Sequence, residues 1–71
     1  MALLDVVGMT PEERAERREL DESCYLRVHA AMGKGLTRPQ ALSRAAVQLQ
    51  VERQDVIAGY WRHVRREGLG A

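Results

Sequence analysis

Apolar residues recur at helical spacing in three separate stretches of this chain, and no stretch alternates in the way a half-buried strand does. The first stretch opens on Thr10-Pro11-Glu12-Glu13. Thr10 can cap a helix, Pro11 suits its first position, and Glu13 can reach back to complete a capping box. The helix should run over residues 11–32 and stop at Gly33-Lys34-Gly35, where glycine takes the left-handed backbone of a helix end. Leu20, Cys24, Val28 and Ala31 fall on one face, with Met32 beside them. Before Leu20 nearly every residue is charged, so the first turns should stand in solvent. Pairs such as Glu13–Arg17 and Glu12–Arg17 would support them, at about 0.2–0.5 kcal/mol each.

Thr37-Arg38-Pro39-Gln40 repeats the capping signal, with Gln40 in the return position. It predicts a second helix over residues 38–49 whose buried stripe is Leu42, Ala45, Ala46 and Leu49. Gln50-Val51-Glu52 reads as the turn, and a third helix should cover residues 53–67, ahead of Gly68. On it Val56, Tyr60 and Val64 form one stripe, which Ile57 and Trp61 widen on one flank. Arg62 and Arg66 are expected to point away from that stripe, with Arg65 at its edge. Gly59 inside a helix costs about 1 kcal/mol relative to alanine, which a close approach by another helix or by DNA would rationalise.

The pattern predicts an all-α fold, a three-helix bundle with a helix-turn-helix-like pair at its C-terminal end. Residues 10–71 read as a single helical domain, preceded by an apolar segment over residues 1–9. Leu3, Leu4, Val6 and Val7 of that segment suit either the edge of the bundle or a second chain.

Size sharpens this picture. A single core in a chain of 71 residues supplies only about 3–5 kcal/mol. Cys24 is the one cysteine, so no internal disulfide adds to it, and it reads as a small buried apolar residue. His29 and His63 stand apart in sequence, read as surface or edge residues, and offer no metal spacing. Regular packing or self-association remains, and a homodimer is the expectation. No apolar run nears the roughly 20 residues of a membrane span. Residues 1–7 are short, carry Asp5 and lack the basic start of a signal peptide, so a cytoplasmic location is the default. No paired carboxylates, phosphate loop or nucleophile–base set is identifiable. The chain is expected to be neither an enzyme nor a cofactor protein.

The net charge of +1 hides an asymmetry. Residues 1–37 hold seven acids against five bases, and residues 38–71 hold six bases against three acids. A polyanion would meet the C-terminal half more readily.

Within that half, Ala46, Leu49, Val51 and Val56 have the spacing of a helix, a tight turn and a second helix, followed by Arg62, Arg65 and Arg66. Residues 41–69 thus resemble the helix-turn-helix DNA-binding module, and the closing Glu67-Gly68-Leu69 is similar to the end of a recognition helix in winged-helix regulators. Where that family usually places glycine in the turn this chain has Gln50, and where it usually caps with serine or threonine this chain has Glu52. The resemblance implies that Glu52, Arg53, Gln54, Ile57, Ala58 and Trp61 face bases. Arg53 suits guanine and Gln54 adenine, while Arg62, Arg65 and Arg66 would contact phosphates. The implied protein is a small dimeric regulator of the kind phages and mobile elements encode. The competing expectation is a protein-interaction module, such as a phage-encoded inhibitor or adaptor. It would bind a host protein through Ile57, Trp61 and the apolar N-terminus. Burial of Ile57 and Trp61 within one chain would favour DNA, and exposure would favour a protein partner.

Overall fold

Two Thr-Xaa-Xaa-Glu/Gln boxes start the first two helices where their sequences place them. The computed structural model describes residues 10–69, and helix covers 83% of these. The helices are α1 (Pro11–Gly33), α2 (Arg38–Leu49) and α3 (Arg53–Glu67), and all three pack against one another. At the start of α1 the Glu13 amide donates to Thr10 Oγ1 at 3.1 Å, and the Thr10 amide donates to Glu13 Oε1 at 2.9 Å. At the start of α2 the Gln40 amide donates to Thr37 Oγ1 at 3.4 Å, and the Thr37 amide to Gln40 Oε1 at 3.0 Å. Each box satisfies amides that a helix start otherwise leaves unpaired. Glu52 heads α3 without a side-chain cap; its carboxylate instead accepts from Gln54 Nε2 at 3.0 Å.

All three helices stop in the same way. The amides of Leu36, Val51 and Leu69 donate to the carbonyls of Ala31, Ala46 and Val64, five residues back, at 3.2, 3.1 and 2.9 Å. The amides of Gly35, Gln50 and Gly68 donate three residues back, to Met32, Val47 and Arg65. This pair of bonds is the Schellman motif, which needs a left-handed residue just past the helix. Gly35 (φ 103°), Gln50 (φ 58°) and Gly68 (φ 67°) supply it. Of the two glycines expected to stop α1, Gly33 is still helical and Gly35 makes the turn. Each motif is followed by an apolar residue, and Leu36 and Val51 pack on the core.

Gln50 is the one non-glycine residue with positive φ among the described residues. A left-handed L-residue is strained by roughly 1–2 kcal/mol, offset in part by the extra freedom glycine has when unfolded. Gln50→Gly is therefore expected to stabilise the fold by about 0.5–1 kcal/mol. A urea midpoint that stays put or falls would contradict this.

The core takes Cys24, Val28 and Ala31 from α1, Ala41, Leu42, Ala45 and Ala46 from α2, and Val56, Tyr60 and Val64 from α3. The α2 stripe is the expected one, joined by Ala41, with Leu49 half-buried. Three alanines on that helix let it lie close to its neighbours. The first ten residues of α1, 11–20, are exposed as their charge demands. The α1 stripe differs from expectation at its upper end. Leu20 is 44% exposed, and its neighbour Asp21, about 100° round the helix, is fully buried in its place.

That substitution explains Gly59. A Cβ there would lie 3.0 Å from Asp21 Oδ1 and 3.3 Å from Cys24 Sγ. Gly59 is the point at which α3 crosses α1, so the close approach belongs to a helix. The expectation that the apolar N-terminal segment covers a bundle edge, or pairs with a second chain, lies outside the described residues.

Candidate nucleic-acid interface

The turn between α2 and α3 is three residues long, Gln50 to Glu52, and holds its shape through backbone bonds. Val51 tucks toward the core behind it, while Val56, completely buried, anchors the first turn of α3. Anchored along that stripe, α3 turns Arg53, Gln54, Ala58, Trp61 and Arg65 outward, all exposed. Gln54, Ala58, Trp61 and Arg65 follow one another at spacings of four, three and four, which makes a continuous outer stripe.

The expected contact residues fall into distinct settings. Arg53 is exposed but leans on α2, with Nε donating to Ser43 Oγ at 2.8 Å and Nη2 to the Pro39 carbonyl at 3.3 Å. Gln54 donates to Glu52, as above, and is otherwise on the open face. Arg65 is exposed. Ile57 is half-buried and packs against the core. Trp61 is 36% exposed, with its ring edge-on to Tyr60 at 4.9 Å and the Arg38 guanidinium 5.5 Å above it.

Arg62 and Arg66 turn inward to Asp21. Arg62 Nε and Nη2 donate to Oδ2 and Oδ1 at 3.1 and 3.0 Å, and Arg66 Nη2 donates to Oδ2 at 3.0 Å. The arginine side chains keep about a third of their surface (34% and 32%) while the Asp21 side chain keeps none. Burial opposes ionisation of Asp21, but the hydrogen bonds and charges of Arg62 and then Arg66 outweigh it and hold the carboxyl below its ordinary range. Hydrogen bonding to Asp21 likewise raises the Arg62 pKa, against the effect of burial. Two of the three side chains expected on phosphates thus clamp α3 to α1.

Sequence reasoning missed Asp21, and a signal for it existed. Asp21 is in helical phase with Cys24, Val28 and Ala31, and Arg62 and Arg66 form an i, i+4 pair close to the helix-crossing glycine. His63, expected at the surface or an edge, is buried because it follows Gly59 and Tyr60 on the face turned to α1. Its ring lies 4.8 Å from that of Tyr25, which also stacks near His29 (4.2 Å) and Tyr60 (5.6 Å). Cys24 is a core side chain, and burial, reinforced by the nearby Asp21 charge, pushes its thiol pKa up.

Among the described residues no cluster of acids, histidines and cysteines could hold a metal ion. No helix is long and apolar enough to cross a membrane, again among the described residues. No family model, curated protein or solved structure matches the chain.

Proposed function

We propose that this chain is a small DNA-binding regulator, of phage or mobile-element type, that works as a homodimer and places α3 in the major groove. The observation that carries the reading is the α2–α3 unit. Its short turn runs through left-handed Gln50, and the outer stripe of α3 from Gln54 to Arg65 is exposed among the described residues. Gln54 and Arg53 are assigned to base edges and Arg65 to a phosphate, with Arg38 and Arg44, both exposed, as further basic residues on α2. Arg62 and Arg66 are withdrawn from the DNA set because Asp21 already engages them. Two copies would be needed because one such module seldom supplies enough specificity alone.

Anisotropy with labelled genomic fragments tests the reading. Binding should weaken steeply with salt. Gln54→Ala should cost about 1–3 kcal/mol on a preferred site and relax its sequence preference. Arg65→Ala should weaken all sequences alike and lower the salt slope by about one unit. These two are cleaner probes than Arg53→Ala, which also frees the Ser43 hydroxyl and Pro39 carbonyl. Fragments left unbound even at low salt would end the DNA reading. A folded 8.0 kDa monomer at high concentration in sedimentation equilibrium would end the dimer.

The second reading, a module that binds a host protein, is favoured by Trp61. A tryptophan over one-third exposed beside an arginine suits an interface hot spot. It expects Trp61→Ala to lose a protein partner while circular dichroism stays native and DNA affinity is nil.

A further inference from the structure

Every tyrosine, tryptophan and histidine of this chain gathers at one place. Tyr25 touches the rings of His29, His63 and Tyr60, and Tyr60 touches Trp61, whose face carries Arg38. The chain has no phenylalanine, so its whole aromatic complement is spent here. Tyr60 and His63 are buried, but Tyr25, His29 and Trp61 are not, and with Tyr60 they line an open groove of about 640 Å³ beside Arg38, within the roughly 300–1,000 Å³ of small-molecule sites. Buried Tyr60 and Val64 lie at its base. Half-buried Tyr25 and exposed His29, Arg38 and Trp61 form the rim.

We propose that this groove binds a planar aromatic ring bearing an anionic group. The exposed part of the Trp61 ring offers stacking, and the half-buried Tyr25 ring, already packed on His29, His63 and Tyr60, offers apolar contact beside it. Arg38 offers a guanidinium to a phosphate or carboxylate, and His29 a ring N–H. Among the described residues no carboxylate lines the groove. A cationic ligand would meet no counter-charge and would compete with Arg38 for the Trp61 ring. A nucleoside monophosphate and an aromatic carboxylate share the required chemistry. Binding here stands whether or not α3 meets DNA, and it would be felt on the outer stripe because Trp61 belongs to both.

Trp61 is the only tryptophan, so its emission reports occupancy directly. The full chain is titrated with adenosine monophosphate and with benzoate. Adenosine and inorganic phosphate serve as controls that lack the anion or the ring, and calorimetry runs in parallel. Saturable binding of adenosine monophosphate or benzoate is expected, with the nucleotide roughly tenfold tighter than adenosine, the worth of one charge-assisted hydrogen bond. Saturation by the nucleotide alone, or by benzoate alone, identifies the source. Arg38→Gln, an exposed change that should leave circular dichroism native, should weaken binding by a similar factor. The proposal is overturned if neither probe binds by either method, if adenosine binds as well as its monophosphate, or if Arg38→Gln leaves affinity unchanged.

Discussion

Arg62→Ala is expected to leave most of the protein unfolded at room temperature. Asp21 has no solvent-accessible side-chain surface, and Arg62 provides two of its three hydrogen bonds. Breaking a buried pair by removing one partner costs about 3–5 kcal/mol, and here Arg66 alone is left to the buried carboxylate, with a single bond. That cost matches the whole of what a core this small supplies. Asp21→Ala should cost less, because the two arginines it releases are already one-third exposed and can swing into water. Arg66→Ala, which removes one bond, should cost least. Urea unfolding followed by circular dichroism gives the order, and an order with Arg66 first would refute this account of the cluster. Replacing all three residues by apolar side chains of similar volume should recover much of the loss, since a buried ion pair is often matched or bettered by good packing.

Acid gives the same cluster a second signature. The folded pKa of Asp21 lies below its unfolded value. The stabilisation is therefore complete above the ordinary carboxylate pKa of about 4. It is lost as pH falls through the lower folded value, where the unfolded state binds the extra proton. In Arg62→Ala the sign should weaken or reverse. Burial is then opposed by Arg66 alone.

Gly59→Val is expected to be comparably damaging, at about 3 kcal/mol from overpacking at a helix crossing. The new Cβ would stand 3.0 Å from Asp21 Oδ1 and 3.6 Å from the Asp21 backbone, with Cys24 Sγ at 3.3 Å. None of these neighbours moves freely, since Asp21 is tied by three bonds and Cys24 is buried. Gly59→Ala is milder, because alanine gains about 1 kcal/mol of helix propensity against the displacement of Asp21. A net loss of about 1 kcal/mol is expected. In an Asp21→Ala background the nearest obstacle is gone, and Gly59→Ala should change sign and stabilise. Additive effects in that double variant would show that Gly59 is not there to admit Asp21.

The helices were legible because their ends carry local chemistry. Thr10 with Glu13 and Thr37 with Gln40 are complete within four residues, and no distant contact is needed to interpret them. Periodicity likewise identified Leu42, Ala45 and Ala46 on α2 and Val56, Tyr60 and Val64 on α3 as buried. It failed at Leu20 because hydrophobicity was taken as the sign of burial, and an aspartate paired by two remote arginines inverts that sign. The same rule misplaced His63. For the candidate site, the helix-turn-helix resemblance implied outward positions for Arg53 and Gln54, and both are exposed, as is Arg65, which its phase puts at the edge of the buried stripe. The destination of Arg62 and Arg66 was not legible, because a basic side chain only one-third exposed reads in sequence like one fully in water. The convergence of Tyr25 and His29 with Tyr60 and Trp61 spans two helices and has no local trace at all.

None of the residues from Pro11 to Leu20 is buried, so nearly half of α1 lies ahead of its first core residue. A helix of that length is marginal on its own in water, and the Thr10–Glu13 box closes its start. The first core residue, Asp21, therefore divides α1 into two parts with separate lifetimes. Amide hydrogens ahead of it should exchange on the timescale of fraying, and those around Val28 on that of global opening. Heating should bleed helical signal gradually from the free part before the bundle melts as a unit.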